Sequence, residues 1–293
     1  MNDKRPGKMI FSTTQRELSE SELQKIIRFV EAEVGIHLTY KKRTLIIQRL
    51  HKRLDELNIE SYGEYLNFVI ANNPAAAEER QILIDKITTH TTSFFREAKH
   101  FDILKDYVIP ELLEKKRGGN RNFNILCAGS STGEEAYTIA MAVKETAKYE
   151  WINGFKIDAI DISELATKTA KFGIYEKKKA DKIPENLRRE YVQNGKGAYA
   201  DYVRMHPSIK GNISFKAGNL FHSHAYPAYN YDIIFCRNTM IYFNEERRQQ
   251  LVSMFEQRLT GFGYLFISLT ESLSGLEQGM KRTHSSVYQK GGV

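Results

Sequence analysis

Three residues that could take part in binding or catalysis each stand at the end of a short apolar run. Gly129 and Arg237 follow such runs directly, and Asp161 closes a third. In an open α/β sheet the carboxyl ends of parallel strands meet at one edge, where ligands bind in a crevice. The spacing therefore predicts that a glycine turn, a carboxylate and an arginine border one crevice, shaped for a cofactor that carries a nucleoside.

The first of these turns is rich in glycine and acid. Gly129 and Gly133 bracket it, and glycine permits positive φ and close approach of a ligand; an ordinary strand-to-helix turn is the alternative. The dinucleotide fingerprint is absent, because Ser131 and Glu134 replace its later glycines. Glu134 and Glu135 suit the positive end of a helix dipole but would repel a pyrophosphate. The two acids therefore favour a cationic ligand that carries an ammonium or a sulfonium. The alternative is that they only stabilise the helix.

Other polar residues complete the predicted crevice. Asp161 can accept hydrogen bonds from both ribose hydroxyls, although it could instead cap a helix, a role better suited to Ser163. Asn219 is a candidate for reading an adenine edge, or else an ordinary turn residue. Arg237 and Asn238 leave an apolar strand, where an unpaired arginine is costly to bury. A structural ion pair is the alternative for Arg237.

The composition restricts the class of protein. The 293 residues are 41% hydrophobic, with 43 Lys and Arg against 36 Asp and Glu. This basic balance favours a polyanionic partner without choosing among nucleic acid, anionic lipid and an acidic protein face. Cys127 and Cys236 lie in apolar predicted strands, and we expect both to be reduced thiols in the core. We expect neither a secretory signal nor a membrane-spanning segment, hence a cytoplasmic protein.

The pattern of apolar residues divides the chain. Ser19 and Glu22 have capping-box spacing, and helical periodicity continues from there. Helices are predicted at about 19–34, 40–57, 62–70 and 75–87, followed by an extended linker at 88–96. Strands and helices then alternate, which indicates a parallel sheet. Strand-like pieces at 199–205 and 212–217 suggest a small antiparallel insertion, and 287–289 is predicted as an antiparallel strand at the sheet edge.

The strings TTHTTSFFRE, AGSSTGEE, DIS, KAGNLF and FCRNTMIYF, in this order, resemble the CheR-type chemotaxis receptor methyltransferases over nearly the whole chain. The resemblance implies an α/β fold of the class I S-adenosylmethionine-dependent methyltransferases, Rossmann-like with a mostly parallel sheet. It implies a small all-α N-terminal domain at 1–86 and a linker at 87–96 that contributes to the cofactor site. The methyltransferase domain would then cover 97–293, with an inserted antiparallel β-subdomain at about 176–218.

The same resemblance assigns site residues. It places ten residues around S-adenosylmethionine and its product S-adenosylhomocysteine, namely His90, Thr92, Arg96, Gly129, Glu135, Asp161, Asn219, Leu220, Arg237 and Asn238. Arg96 and Tyr242 are the expected catalytic residues, and no metal is expected. Two departures affect these assignments, because the family usually has Asn at the place of His90 and Gly-His at the place of Ser268-Leu269.

The resemblance also implies the reaction, which is methyl transfer to glutamate side chains on the cytoplasmic helical bundle of chemoreceptors. A glutamate carboxylate is already anionic at neutral pH, so no general base is required. Arg96 or Arg237 is expected to hold its second oxygen. Residues 41–53 contain six cations and no acid, and Arg49, Lys52 and Arg53 among them are the predicted receptor contacts. Some members of the family also dock a receptor tail peptide on the β-subdomain.

Two other functions stay open from the sequence alone. The positive charge permits a nucleic-acid methyltransferase, but the proline-containing motif common in enzymes that modify exocyclic amines is missing after the predicted strand 231–236. A non-catalytic module that binds the cofactor and regulates a partner is the other alternative. The presence of Arg96, Asp161 and Tyr242 argues against it.

Overall fold

The computed structural model describes residues 16–116, 119–276 and 279–291. Residues 1–15, which hold most of the segment where no secretory signal is expected, lie outside the described residues. The N-terminal part of the described chain is helical, as predicted. Its helices are α1 (Glu20–Val34), α2 (Arg43–Leu57), α3 (Tyr62–Ile70) and α4 (Pro74–Ile87).

Helix α1 begins and ends where its sequence predicts. The Ser19 hydroxyl accepts from the N–H of Glu22, and the Glu22 carboxylate accepts from the N–H of Ser19, which confirms the capping box. Gly35 ends the helix at φ 77°, a left-handed conformation that costs glycine no Cβ clash. The apolar faces of the helices meet in one core, in which Leu50 and Leu83 are fully buried.

A linker without regular secondary structure leads from α4 into the second part of the molecule. The prediction that it is extended throughout 88–96 is wrong at its end, where residues 94–98 form turns and Phe95 has a φ of 51°. A helical segment follows it, made of α5 (Lys99–Ile103), a π turn (Leu104–Val108) and α6 (Ile109–Lys115). Phe94 is fully buried in the core of this second part. The packed side chain of Phe94 therefore anchors the linker to the second part and fixes the positions of the residues on either side of Phe94.

The second part is built on a seven-stranded sheet. Its strands are β1 (Asn122–Ala128), β2 (Gly154–Asp161), β6 (Ile213–Ala217), β7 (Tyr231–Cys236), β8 (Leu259–Ile267), β9 (Met280–His284) and β10 (Val287–Lys290). The order is β6–β2–β1–β7–β8–β10–β9. The first five strands in this order are parallel, whereas β10 pairs antiparallel with both β8 and β9. The predicted antiparallel strand at 287–289 is confirmed, although β9 rather than β10 forms the edge.

The strand order reverses between β1 and β7. Helix α7 (Glu134–Thr146) connects β1 to β2 on one side, and helix α12 (Glu245–Arg258) connects β7 to β8 on the other. Such a reversal opens a crevice at the carboxyl ends of the two strands. The crevice lies where the sequence places Gly129 and Arg237.

Both faces of this sheet are buried. Successive residues of a strand point to opposite faces of the sheet, and an apolar core covers each face. Cys127 of β1 belongs to one of these cores, and Cys236 of β7 belongs to the other. Both thiols are free, which confirms the prediction of reduced core cysteines. None of the helices in the described part of the chain combines the length and the apolar character needed to cross a bilayer.

A small antiparallel sheet is inserted between β2 and β6. Helix α8 (Glu164–Phe172) precedes it, and its strands are β3 (Ile174–Glu176), β4 (Val192–Asn194) and β5 (Tyr202–Met205) in the order β3–β5–β4. Short helices α9 (Lys177–Ala180) and α10 (Glu185–Tyr191) connect β3 to β4, and α11 (Pro207–Lys210) follows β5.

One boundary of the predicted insertion is wrong. The segment 212–217 was assigned to the insertion, but β6 pairs in parallel with β2 and is an edge strand of the main sheet. Residues 197–199 form a single 3-10 turn, so β5 begins only at Tyr202. A strand shows the same alternation of apolar residues whether it pairs with the inserted sheet or with β2 of the main sheet. Only the tertiary packing decides which sheet β6 joins.

Arg49, one of the predicted receptor contacts, is held by the chain itself. Its Nη1 donates to the carbonyls of Lys86, Ile87 and Thr88 at 2.9, 2.9 and 2.7 Å. These are carbonyls at the end of α4, which have no partner within the helix. Arg49 therefore caps α4 at the point where the linker begins.

Arg53, a second predicted contact, is held in a similar way. Its guanidinium binds both carboxylate oxygens of Glu79 at 3.0 and 2.6 Å, and the Glu79 side chain is only 3% exposed. The Tyr65 hydroxyl donates to the same carboxylate at 2.7 Å. Lys52, the third predicted contact, is exposed. The charge on Arg53 thus compensates a buried acid inside the helical domain.

We expect Arg53→Ala to destabilise the protein, because it leaves the Glu79 carboxylate buried with only the Tyr65 hydroxyl as a partner. Removing one member of a buried pair costs about 3–5 kcal/mol, and partial exposure of Arg53 reduces this to about 2–3 kcal/mol. Thermal unfolding measures the effect, with Lys52→Ala as the control on the same helix, expected within about 0.5 kcal/mol of the parent. Equal losses in the two variants would contradict this account of Arg53.

Candidate active site

The predicted crevice is present at the carboxyl edge of the sheet. Strands β2, β1 and β7 are neighbours, and Asp161, Gly129 and Arg237 at their ends all line one cleft. The opposite wall comes from the helical domain, through the ends of α1 and α4, the segment between α1 and α2, and the first turn of α2. The wall residues are Val34, Ile36, His37, Leu38, Lys42, Leu45 and Ile87.

Gly129 makes the turn after β1 tight. Its φ is 79°, and a Cβ there would come within 2.1 Å of the Thr239 hydroxyl oxygen. Its N–H donates to the carbonyl of Ile160 at 2.8 Å, which ties the turn to β2. Ser131 follows in the same turn, and its buried hydroxyl has no hydrogen-bond partner among the described residues. The turn therefore presents backbone and an unused hydroxyl to the cleft.

The Asp161 carboxylate is fixed by two backbone donors. The N–H of Ser131 donates to one oxygen at 2.7 Å and the N–H of Ser163 to the other at 2.9 Å. Burial raises the pKa of Asp161, while these two hydrogen bonds oppose that rise. Ser163 caps α8 through its own hydroxyl, as predicted. Asp161 is therefore not the cap, and its oxygens keep acceptor capacity for a ligand in the cleft.

Arg237 lies almost fully buried at the end of β7, with 3% of its surface exposed. One Nη donates to Glu135 at 3.2 Å, and the other donates to Glu97 at 3.2 Å and to the carbonyl of Arg96. The guanidinium also lies 5.3 Å from the centre of the Phe101 ring. These partners hold Arg237 in place.

The two acids that begin α7 face different surroundings. Glu135 lines the cleft; burial raises its pKa, and the charge of Arg237 opposes that rise. The side chain of Glu134 is fully buried and binds Lys179 of the insertion at 2.7 Å and the Thr132 hydroxyl at 2.6 Å. Glu135 alone is available to a ligand, whereas Glu134 connects α7 to the insertion.

The linker supplies one side of the cleft through His90, Thr92 and Arg96. The Nε2 atom of His90 lies 3.0 Å from the Thr88 hydroxyl, and Arg96 donates to the carbonyl of Thr91 at 3.1 Å. Arg96 is only partly buried. Its charge therefore lies at the border of the cleft, close to solvent.

The remaining predicted residues line the cleft from the second part of the chain. The Asn219 amide accepts from the N–H of Phe221 at 2.9 Å and donates to the carbonyl of Glu33 at 3.3 Å. The Asn238 amide donates to the Ser268 hydroxyl at 2.8 Å. The further predicted residues Leu220 and Tyr242 lie in the same cleft. All the predicted cofactor and catalytic residues are thus brought together, whereas Arg49, Lys52 and Arg53 do not line it.

Sequence reasoning missed the wall from the helical domain. Ile36 and Leu38 stand between two predicted helices, and apolar residues in a connecting segment were the available signal. The carbonyl of Tyr242 accepts from the N–H of His37 at 2.7 Å, which connects this segment to the 3-10 turn Met240–Tyr242 that follows β7. Glu97 was missed as well, although it directly follows Arg96.

The donor set fits a nucleoside whose tail carries an amino-acid group. A fixed carboxylate at the end of β2 suits ribose hydroxyls, and Glu135 suits a cation. Apolar residues of the helical domain suit the flat face of a base. The unused Ser131 hydroxyl gives one further polar partner. S-adenosylmethionine has all of these groups, together with a positively charged sulfur.

Comparison with known proteins agrees with this geometry. Residues 21–88 match the family model described as CheR methyltransferase, all-alpha domain, and residues 90–289 match CheR methyltransferase, SAM binding domain. These matches confirm the resemblance and the fold class that the sequence motifs predict. The second model covers every predicted cofactor residue, and the chain binds S-adenosylmethionine.

Curated relatives extend along nearly the whole chain. A chemotaxis protein methyltransferase of Borreliella burgdorferi is 36% identical over 262 residues, covering 88% of this chain and 90% of that protein. The Escherichia coli chemotaxis protein methyltransferase is 32% identical over 285 residues, covering 96% and 94%. Chemotaxis protein methyltransferase 1 of Pseudomonas aeruginosa is 32% identical over 253 residues, covering 85% and 89%. The chain therefore belongs to the CheR family of S-adenosylmethionine-dependent methyltransferases.

Proposed function

We propose that this methyltransferase esterifies glutamate side chains on the cytoplasmic helices of chemoreceptors, and so adjusts chemotactic signalling. The observation that carries the proposal is the composition of the cleft. A cofactor edge with Gly129, Asp161 and Glu135 faces a wall from the helical domain, and Arg96 lies at the border between them. A protein helix can reach this border with a single extended side chain, which is how a glutamate would be presented.

The residues of the cleft would hold the cofactor in one orientation. Asp161 would accept from the ribose hydroxyls, Asn219 would contact the adenine and Leu220 would pack against it. Glu135 would bind the ammonium of the amino-acid tail, and Thr92 would bind its carboxylate. Asn238 and Gly129 would contact the cofactor at the sheet edge, and His90 would do so from the linker.

S-adenosylmethionine supplies the methyl group, on a positively charged sulfur. The chain's own task is to orient a glutamate oxygen in line with it and to exclude water. Positioning of this kind can contribute about 7–11 kcal/mol in favourable cases. Arg96 would hold the second oxygen of the glutamate through a loose contact, because a tight bidentate grip would reduce its nucleophilicity. Tyr242 would complete the wall at the transfer point, and no residue needs to remove a proton.

The receptor would approach along α2. A receptor helix that displays glutamates is acidic, and exposed cations raise the rate of encounter with it. Lys52 is the exposed member of the three predicted contacts. Arg49 binds backbone carbonyls rather than an acid, so its positive charge adds to the potential of α2. The charge of Arg53 is balanced by Glu79. In this proposal Lys52 contacts the receptor, Arg49 acts through its charge, and Arg53 supports both by holding α2 in the helical domain.

The insertion would bind a peptide at the end of the receptor. Strand β4 is an edge of the small sheet, and an exposed edge can pair with an added strand. A groove next to it is lined by Lys177, Arg188 and Arg189, and both arginines pair with Glu185 in the same groove. Lys177, which is exposed, is therefore the cation proposed to bind a terminal carboxylate. Because both proposed contacts belong to receptor segments on the inner side of the membrane, we place the protein in the cytoplasm.

The two other functions predict different products. A nucleic-acid methyltransferase would label RNA or DNA, and a non-catalytic module would bind the cofactor without turnover. The names of the curated relatives, chemotaxis protein methyltransferase, support the proposed function over both.

We expect the purified protein, given S-adenosylmethionine with a tritiated methyl group, to label membranes rich in chemoreceptors. Mild alkali should release this label as methanol, because the product is a carboxylate ester. Receptors shortened by their terminal residues should be labelled more slowly if the insertion binds the tail. Alkali-stable label, label on added RNA, or cofactor binding without transfer would each reject the proposal.

We expect Lys52→Glu to raise the KM for the receptor about fivefold to tenfold at low salt, with less effect at high salt, because exposed charges are screened there. The Kd of S-adenosylhomocysteine should stay unchanged. Lys171→Glu on α8 is the control, since it makes the same change in net charge at an exposed position away from α2. An equal rise of KM in both variants would show that overall charge, rather than α2, attracts the receptor.

A further inference from the structure

We propose that Glu97 is a positioning residue for the cofactor. By balancing the buried charge of Arg237, it leaves the Glu135 carboxylate free to bind a cation in the cleft. This inference rests on the cofactor orientation proposed above, in which Glu135 binds the ammonium of the amino-acid tail. Glu97 itself is absent from the residues that line the cleft, so its effect must pass through its neighbours.

Glu97 is held more firmly than an ordinary surface acid. It directly follows the linker and has a φ of 55°, a left-handed conformation that is uncommon for a residue with a side chain. Its carboxylate accepts from the Ser268 hydroxyl at 2.7 Å and from the N–H of Leu269 at 3.1 Å. These bonds connect the linker to the end of β8 and fix the carboxylate where Arg237 can reach it.

Glu97, Arg237 and Glu135 form a buried chain of acid, base and acid. The guanidinium lies 3.2 Å from an oxygen of each carboxylate. Both acids have side chains that are 14% exposed, and the side chain of Arg237 is fully buried. A guanidinium is always charged, and an unpaired buried charge is costly. Arg237 therefore requires one full negative charge from its two neighbours.

The two acids are not equivalent. Burial disfavours ionisation of Glu97, but the hydrogen bonds from Ser268 and Leu269, together with Arg237, lower its pKa below the ordinary value. Burial dominates at Glu135 and raises its pKa. The ionised form is therefore favoured at Glu97, which balances Arg237 at a distance of 3.2 Å. Glu135 contacts Arg237 through one oxygen and lines the cleft, where its carboxylate can also accept from a cationic ligand.

Neighbouring groups do not replace Glu97 in this task. His100 is fully buried with its Nδ1 3.5 Å from Glu97, and burial lowers its pKa to about 4, so it adds no charge at neutral pH. The Glu271 carboxylate is occupied by the N–H groups of Ser268, Asn238 and Ile241 at 2.8, 3.2 and 3.2 Å. Without Glu97, Glu135 would be the remaining carboxylate in contact with the positive charge of Arg237. The Glu135 carboxylate would then bind a cation in the cleft less well.

The test compares two ligands that differ in the group of interest. S-adenosylhomocysteine carries the ammonium, whereas 5′-methylthioadenosine keeps the adenine, the ribose and the sulfur but lacks the amino-acid tail. We expect Glu97→Gln to raise the calorimetric Kd of S-adenosylhomocysteine about tenfold and to leave that of 5′-methylthioadenosine within about twofold. A purely structural role for Glu97 would weaken both ligands alike and would overturn the proposal.

Glu111→Gln is the matched control. Glu111 is a partly buried acid that accepts from the Tyr264 hydroxyl and from Gln289, each at 2.7 Å, and it lies outside the cleft. The same change there should alter neither Kd. If Glu97→Gln does not fold cooperatively, Glu97→Asp replaces it, because the shorter side chain keeps the charge but lengthens the contact to Arg237. A smaller loss, again confined to S-adenosylhomocysteine, is then expected.

A double-mutant cycle identifies the route of the effect. In a Glu135→Gln background, Glu97→Gln should no longer change the Kd of S-adenosylhomocysteine, because the acid through which it acts is gone. An undiminished effect in that background would overturn the proposal. If the parent protein binds both ligands equally well, the cofactor orientation itself is wrong. Unequal binding that Glu97→Gln leaves unchanged would reject only the role of Glu97.

Discussion

The architecture of the cleft depends on the neutralisation of one buried arginine. Arg237 leaves β7 at the reversal of strand order, where the guanidinium has almost no access to water. Glu97 from the end of the linker and Glu135 from the start of α7 must both approach it. This requirement brings the linker, the glycine turn and β7 to one point. The same requirement makes the ends of these elements parts of one cleft rather than independent loops.

A second constraint comes from the helical domain. Its basic helix α2 looks like a binding surface in the sequence, but much of its charge holds the domain together and fixes where the linker begins. Arg49 binds the last carbonyls of α4, and α4 leads directly into the linker that carries Arg96. The start of the linker that carries a predicted catalytic residue is thus held by a side chain 39 residues earlier in the chain. The helix that is proposed to attract the receptor is thus the one that fixes where the linker begins.

The sequence predicts well what local physics controls. Ser19 with Glu22 and Ser163 act as predicted because caps depend on residues a few positions apart. The strand ends that carry Asp161 and Arg237 follow from apolar runs and the edge rule for parallel sheets. Features set by distant partners could not be predicted. They include the pairing of β6 with β2, the internal partner of Arg53 and the contact of Glu97 with Arg237.

In the proposed orientation, Asp161 binds the ribose of the cofactor and Glu135 binds the ammonium of its tail, while Arg237 is held by Glu97 and Glu135. A crystal structure of the protein with S-adenosylhomocysteine tests this claim most directly. The account predicts ribose hydroxyls on Asp161, the tail ammonium within hydrogen-bonding distance of Glu135, and Arg237 still bound to both Glu97 and Glu135. A tail that points away from Glu135, or an Arg237 that leaves Glu97 to bind the ligand, would contradict it.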